Sequence, residues 1–176
     1  GPSSYHLLMV KTLITIRPAQ IEDALEISSV HDSSWYDAYR GIIPGRELNK
    51  MIARRGPLWW QSAIRRGSRL LVLEHDHIIC GYASYGRNRV MSLPYQGELF
   101  ELYLTPEYQG LGFGRQLFNS IRSDLNRQGY QNLLVWALAD NERALGFYKH
   151  LGGREVHRAS EKFGTEPRER IAFAFD

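Results

Sequence analysis

The segment with the clearest capacity for ligand chemistry is a glycine-rich hexapeptide, Gln109-Gly-Leu-Gly-Phe-Gly114. It stands between a predicted strand and a predicted helix, where unpaired backbone N–H groups and the helix dipole favour an anion such as phosphate. Glycines let such a ligand approach the backbone closely. A tight turn without a ligand is the competing interpretation. Two nucleotide-binding loops are excluded: Arg115 stands where a dinucleotide fingerprint needs glycine, and Arg115-Gln116 replaces the Lys-Ser or Lys-Thr of a P-loop.

The elements that must position this segment alternate between strands and helices. Runs of β-branched and apolar residues predict strands at 12–17, 69–74, 78–85, 98–104, 133–138, 154–162 and 168–175. Helical spacing of apolar residues predicts helices over 21–39, 46–54, 57–65, the region from the loop to Gly129, and 141–151. Because a helix joins strands 98–104 and 133–138, a right-handed crossover would make them parallel. We therefore predict an α/β fold with a mixed central sheet of about seven strands flanked by helices.

Three motifs, in the correct order, resemble the GNAT superfamily of N-acetyltransferases. The family signature, Gln or Arg, two residues, Gly, one residue, then Gly or Ala, is matched by Gln109, Gly112 and Gly114. Residues 98–108 are similar to the strand that leads to this loop in the family, and residues 141–152 are similar to its Asn, Ala, Phe-Tyr, Leu-Gly helix. The resemblance is strongest over residues 97–153. It implies acetyl transfer from acetyl-CoA and a GNAT-like sheet whose two parallel central strands splay apart.

The resemblance also implies how the coenzyme would be held. Its pyrophosphate would rest on the loop amides, and its pantetheine arm would lie between the splayed strands. Backbone groups of Leu102 and Leu104 would bond the thioester and arm, with a bulge turning an N–H toward the acetyl oxygen to stabilise the oxyanion. The expected acetyl-CoA-binding residues are Leu102, Tyr103, Leu104, Gln109, Gly110, Leu111, Gly112, Phe113, Gly114, Arg115, Asn141 and Tyr148.

Glu98 and Glu101 are the candidates for the general base. Attack on a thioester needs a neutral amine, whereas most biological amines are protonated near neutral pH. Three positions apart on a strand, the two side chains are expected on opposite faces, so at most one would face the thioester. The apolar pattern does not decide between them, and the frequent glutamate at the start of this strand in the family favours Glu98. A relayed water is a further candidate, and a solvated surface charge is the alternative for either residue.

Tyr148 is the candidate acid, because a tyrosine can supply a proton to the departing thiolate. Asn141 and Tyr148 lie seven residues apart and share a helix face that could point at the coenzyme. The neighbouring stripe is expected to pack against the sheet, and it comprises Ala144, Phe147 and Leu151.

An aromatic group is the candidate for the acceptor site. Trp35, Tyr36 and Tyr39 resemble the helix that covers the acceptor in GNAT enzymes, although they could equally be core. The acceptor itself is open: a primary amine of a small molecule, a peptide or a protein. A catalytically silent acyl-CoA-binding module is the alternative function.

Composition excludes several other classes. The chain has 176 residues, 43% of them apolar, which predicts one domain over residues 9–176, while Gly1-Pro2 indicates a tag remnant through residue 8. The apolar stretch 7–16 is interrupted by polar residues and predicts neither a signal peptide nor a membrane span. One cysteine, Cys80, and no zinc-ligand histidine pattern predict no metal and a reducing, cytoplasmic setting.

A net charge of +3 permits an anionic ligand but is low for a nucleic-acid-binding protein. The pairs Arg54-Arg55 and Arg65-Arg66 are interleaved with apolar residues and predict a solvated helix face, so we expect no nucleic-acid partner. The last strand carries Ile171, Phe173 and Phe175 on one face. These residues could pack across a homodimer or complete the core of a monomer.

Overall fold

In a computed structural model, which describes residues 14–176, seven strands form one mixed sheet. The strands are β1 (Ile14–Pro18), β2 (Leu70–His75), β3 (Ile78–Arg87), β4 (Gly97–Leu104), β5 (Leu133–Leu138), β6 (Arg154–Phe163) and β7 (Glu166–Phe175). Their order is β1-β2-β3-β4-β5-β7-β6, with β4 and β5 parallel and the other neighbours antiparallel. The predicted mixed sheet is confirmed. The predicted tag remnant and the start of the first predicted strand lie outside the described residues.

Five α-helices accompany the sheet within residues 14–176. They are α1 (Ala24–Tyr39), α2 (Gly45–Ala53), α3 (Pro57–Arg65), α4 (Phe113–Arg127) and α5 (Glu142–His150). Local chemistry sets several of their ends. Pro57 opens α3, where its missing N–H costs nothing, and Asn141 caps α5 by accepting the Ala144 N–H at 3.2 Å.

Strand β7 begins earlier than predicted, at Glu166 instead of residue 168. The predicted strand left out Pro167, and proline cannot donate to a ladder. On one side, however, the β5 ladder ends at the pair Leu138 and Arg170, so Pro167 lies where β7 has only β6 as a neighbour. The missing N–H therefore interrupts no central pairing.

The core occupies both faces of the sheet. On one face α4 buries the apolar stripe predicted for it, Leu117, Phe118, Ile121 and Leu125, and α5 adds Tyr148. On the other face α1 and α3 bury a second cluster that includes Ile27, Val30, Trp60, Val72 and Tyr82. Ile171, Phe173 and Phe175 are at most 4% exposed and belong to the first cluster, so they complete the core of this chain.

The parallel strands separate partway along their length. The β4–β5 ladder joins Gly97 to Leu133, Glu98 to Leu134 and Leu99 to Val135, and stops there, although both strands continue. The structure therefore has the splay that the family resemblance implied. Beyond Leu99 the β5-facing edge of β4 has no ladder partner, which leaves backbone groups available to a ligand.

A β-bulge lies on β4 at the same level. Ser84 of β3 pairs with Glu101 and Tyr85 pairs with Leu99, so Phe100 is an extra residue. A bulge shifts the alternation of side chains by one position. Glu98 and Glu101 consequently share a face and line one cavity. The expectation that they point to opposite faces is therefore wrong, because it assumed an unbroken strand.

Candidate active site

The glycine-rich loop adopts a conformation that requires glycine. Gly110 and Gly112 have φ of +78° and +83°, in the left-handed region that other residues rarely adopt. Gly112 immediately precedes α4, whose first N–H groups, at Phe113, Gly114 and Arg115, lack intrahelical acceptors. A Cβ added at Gly110 or Gly112 would meet no atom within 4 Å, so the backbone there is open to a ligand.

A cavity of about 610 Å³, here called the first cavity, extends from this loop to the gap between β4 and β5. It is lined by Leu102, Tyr103 and Leu104 of β4, by the loop residues Gln109, Gly110, Gly112, Gly114 and Arg115, and by Asn141, Arg143 and Tyr148 at α5. The cavity thus brings together most of the residues predicted to bind the coenzyme. Two predicted side chains do not line it: Leu111 is 59% exposed and Phe113 is buried in the core.

The side chain of Gln109 holds the loop in place. Its Nε2 donates to the Leu104 carbonyl at 3.2 Å, and its Oε1 accepts from the Arg143 guanidinium. Arg143 also forms an ion pair with Asp37 of α1 at 2.8 Å. Because all four residues line the first cavity, this network ties the loop to β4, α5 and α1 around the ligand space.

Tyr148 lies at the inner side of the first cavity and is 6% exposed. Its ring contacts Phe147 and Phe173, and its hydroxyl forms no hydrogen bond with any residue in 14–176. Burial raises the pKa of Tyr148 well above the usual value, with a further contribution from Tyr39. The hydroxyl therefore stays protonated at neutral pH and is free to donate.

A second cavity, of about 250 Å³, opens on the other side of the gap. Its lining includes Trp35, Tyr39, Arg55, Arg89, Glu98, Glu101, Tyr103, Trp136, Glu161 and Arg170. Tyr103 lines both cavities, so they meet at this residue. The hydroxyls of Tyr39 and Tyr103 bond each other, and burial raises both pKa values, that of Tyr39 to about 12.

Glu101 is held from both sides. Its Oε1 accepts from Arg55 at 2.5 Å, and its Oε2 accepts from the buried Tyr82 hydroxyl at 2.8 Å. Tyr82 in turn accepts from Trp35 Nε1 at 3.1 Å. Arg55 stacks on Trp35 and Trp59, with 5.0 and 4.5 Å from Cζ to the ring centroids. This carboxylate belongs to a rigid, half-buried network.

Glu98 is held more loosely, although it is only 3% exposed. Its Oε1 accepts the backbone N–H of Arg89 at 2.9 Å, and its Oε2 lies 3.3 Å from the Arg89 guanidinium. The Arg89 side chain is 68% exposed, whereas that of Glu98 is 4% exposed, so the arginine end of this pair can move into solvent. One carboxylate oxygen of Glu98 is therefore available to exchange Arg89 for another partner.

The aromatic residues predicted for the acceptor site divide between two environments. Trp35 and Tyr39 line the second cavity. Tyr36 is 51% exposed, stacks against Arg40 and lines neither cavity.

Several residues of the two cavities were missed by the sequence analysis. Arg55 was assigned to a solvated helix face, and that assignment is wrong: its guanidinium lies between tryptophans and against Glu101. The adjacent Trp59-Trp60 pair was the available signal. The others include Ser34, Asp37, Arg89, Trp136, Arg143, Glu161 and Arg170, which come from six different elements or loops and show no shared pattern along the chain.

Residues 14–176 contain neither a metal-binding cluster nor a helix that could span a membrane. No three His, Cys, Asp or Glu side chains in this range are grouped so as to hold a metal ion. None of its helices combines the length and the apolar character that crossing a membrane requires.

Comparison with known proteins places this geometry in a family. Residues 33–152 match the sequence model of the Acetyltransferase (GNAT) family. YuaI of Bacillus subtilis, an uncharacterised N-acetyltransferase, is 31% identical over 137 residues, which are 78% of each chain.

Two solved structures share the fold. PaiA N-acetyltransferase of Thermoplasma acidophilum, in complex with coenzyme A, has a TM-score of 0.73 at 21% identity and covers 89% of this chain and 97% of its own. YncA of Salmonella typhimurium, with acetyl-CoA, has a TM-score of 0.64 at 21% identity over 93% of each chain. Since the family match spans the loop, the splayed strands and α5, and the Bacillus relative is similar along most of its length, this chain belongs to the GNAT acetyltransferases, enzymes whose cosubstrate is acetyl-CoA.

Proposed function

We propose that this chain transfers the acetyl group of acetyl-CoA to a primary amine of a small molecule or a peptide by direct attack. The observation that carries the proposal is the junction of the two cavities at Tyr103. The glycine-rich loop and the Tyr148 hydroxyl, which has no hydrogen-bond partner within residues 14–176, lie on one side of it, and two glutamates lie on the other. The coenzyme would occupy the first cavity and the amine the second.

The loop suits a coenzyme pyrophosphate. The amides at the start of α4 point away from the helix and add the positive end of its dipole. From there the pantetheine arm would follow the free edge of β4 toward Tyr103. An N–H near the bulge at Phe100 would stabilise the oxyanion as the carbonyl carbon becomes tetrahedral.

We assign Glu98 as the base and Glu101 as a positioning residue. Glu98 can exchange its exposed Arg89 partner for the amine or a bridging water, whereas both oxygens of Glu101 are bound within a rigid network. The amine nitrogen forms a bond to the carbonyl carbon while Glu98 accepts its proton. Glu101 keeps Arg55 and Tyr82 in place beside the reacting groups.

We assign Tyr148 as the proton donor to the leaving sulfur. As the carbon–sulfur bond breaks, negative charge develops on sulfur, and the Tyr148 hydroxyl is protonated and has no hydrogen-bond partner in the described part of the chain. Free coenzyme A and the N-acetylated amine are the products. The tyrosine regains its proton from solvent once they leave.

Thiol release from acetyl-CoA against a panel of amines tests the proposal, with calorimetric titration of coenzyme A as a separate measure of binding. Turnover with at least one amine supports the transferase. Tight coenzyme binding without turnover on any small amine or peptide would instead establish the acyl-CoA-binding module.

A further inference from the structure

The second cavity contains one arginine that its neighbours do not neutralise. Arg55 pairs with Glu101 at 2.5 Å, and Arg89 pairs with Glu98 at 3.3 Å. Arg170 of β7 forms no ion pair and no side-chain hydrogen bond within the described part of the chain, and its Nε is buried without a partner. Buried N–H groups of this kind are rare in folded proteins and call for an acceptor.

Trp136, which packs against Arg170, also has a buried side-chain N–H, that of Nε1, without a partner in residues 14–176. The Arg170 guanidinium lies over the ring of Trp136, with 4.2 Å from Cζ to the centroid. Trp136 and Arg170 lie two rungs apart on paired strands, with Trp136 opposite Ala172 and Leu138 opposite Arg170, so their side chains share the face that forms the cavity floor. Both unpartnered nitrogens, Arg170 Nε and Trp136 Nε1, are almost inaccessible to solvent, so a ligand in the cavity would meet the two terminal guanidinium nitrogens of Arg170, which have no hydrogen-bond partner within residues 14–176.

The charges around the cavity select the kind of acceptor. A guanidinium presents a planar fork of N–H groups that matches a carboxylate, and the Trp136 ring packs against one face of this fork. Glu98 and Glu101 are paired with Arg89 and Arg55, which leaves Glu161 as the lining glutamate without an ion pair within residues 14–176. One unpaired carboxylate beside one unpaired guanidinium disfavours the second negative charge of a phosphate and favours a ligand that carries a positive group as well. A small molecule that carries both an amine and a carboxylate fits this arrangement.

We propose that the acetyl acceptor is an amino acid whose carboxylate binds the Arg170 guanidinium, which packs on Trp136, while its amine approaches Glu98. This inference rests on the proposed function and narrows its substrate class. It requires the amine and the carboxylate to belong to one molecule small enough for a cavity of about 250 Å³. Arg170 would act as a substrate-binding residue that fixes the direction from which the amine arrives.

The test compares acids with their carboxamides. The panel contains the common L-α-amino acids, β-alanine and 4-aminobutyrate, each beside the amide of the same skeleton, and kcat and KM are measured for each pair. The amine of an α-carboxamide is less basic, so more of it is neutral, and basicity alone would favour the amide. For at least one pair we expect the acid to be preferred by about 10- to 100-fold, the worth of a charge-assisted bond to a buried group.

Variants locate the source of the preference. Arg170→Gln should raise KM for the acid by about 10- to 100-fold and leave the carboxamide unchanged, and Arg170→Lys should retain part of the preference. Arg158→Gln is the matched control, because Arg158 lies on the same hairpin, pairs with exposed Glu155 and Glu169, and lines neither cavity. Coenzyme A titration and thermal unfolding report whether each variant is folded.

Two outcomes would overturn the inference. In the wild-type protein, equal or better turnover of every carboxamide would show that no carboxylate is recognised, whatever the variants do. An equal loss for acid and amide in folded Arg170→Gln would give Arg170 a structural role only. Either result leaves the transferase itself intact, whereas absence of turnover on every amine would refute the proposed function first.

Discussion

Replacing each glutamate of the second cavity by glutamine separates the proposed base from the proposed positioning residue. Glu98→Gln removes the group that accepts the amine proton and keeps an oxygen for the Arg89 N–H. General-base catalysis contributes about 10²- to 10⁴-fold, so kcat should fall by that factor. The ion pair that is lost joins the buried Glu98 carboxylate, 4% exposed, to Arg89, which is 68% exposed and can turn to solvent, and the neutral amide no longer carries the desolvation cost of a buried charge. The variant should therefore be inactive and nearly as stable as the wild type.

Glu101→Gln should reduce stability more than Glu98→Gln does and reduce kcat less. Arg55 and Glu101 side chains are 24% and 14% exposed, so neutralising Glu101 leaves a largely buried guanidinium without its counter-charge. We expect a loss of about 1–3 kcal/mol, less than for a fully buried pair because some solvent reaches Arg55. For a chain of this size the loss corresponds to a decrease in Tm of about 2–12 °C. The effect on kcat should be smaller than that of Glu98→Gln.

Thiol release measures kcat, and circular dichroism during heating measures Tm. Glu155→Gln is the control, since Glu155 is an exposed β6 residue paired with Arg158, and neither quantity should change. Should Glu101→Gln abolish turnover at unchanged Tm while Glu98→Gln remains active, the two assignments are reversed. A loss below about tenfold in both variants would mean that neither carboxylate is the base.

Three further predictions use matched pairs or a pH dependence. Tyr148→Phe should lower kcat by about 10²-fold or more, whereas Tyr36→Phe, outside both cavities, should leave it unchanged. Thiol release measures both, and full activity of Tyr148→Phe would show that Tyr148 is not the acid. Gly112→Ala and Gly129→Ala, at φ of +83° and +91° and both without close neighbours, should each cost about 1–2 kcal/mol of stability, yet only Gly112→Ala should weaken coenzyme A binding in calorimetry. Burial lowers the pKa of His31, so as the pH falls the imidazole is protonated in the unfolded chain before it is protonated in the folded one. The contribution of neutral His31 to the free energy of unfolding is therefore fully present above about pH 6.5 and decreases below it. Urea unfolding at several pH values should show that His31→Phe removes this part of the loss, and an unchanged pH profile would contradict it.

Most of the secondary structure follows from the sequence because it depends on local chemistry. Alternating and helical apolar patterns located the elements of residues 14–176, and glycine at positions 110 and 112 marked a loop that needs positive φ. The predicted helix between β4 and β5 also indicated that these strands are parallel, because a connection of this length allows a crossover. Strand ends were less predictable, as the early start of β7 shows, because they depend on which neighbouring strand is present.

The active site depended more on the tertiary structure. The sequence by itself located the candidate phosphate-binding loop, the tyrosine on α5 and the two candidate carboxylates, since each belongs to a motif that is contiguous along the chain. Only the folded sheet decided that Glu98 and Glu101 share a cavity, because the bulge at Phe100 is a mismatch in length between paired strands and is invisible in either strand alone. Three arginines reach the same cavity from different parts of the chain. Arg55 lies in the turn between α2 and α3, Arg89 in the β3–β4 loop and Arg170 on β7. Distances between residues far apart in sequence decide which of these cations is neutralised and which is left for a substrate. Local sequence patterns do not contain those distances.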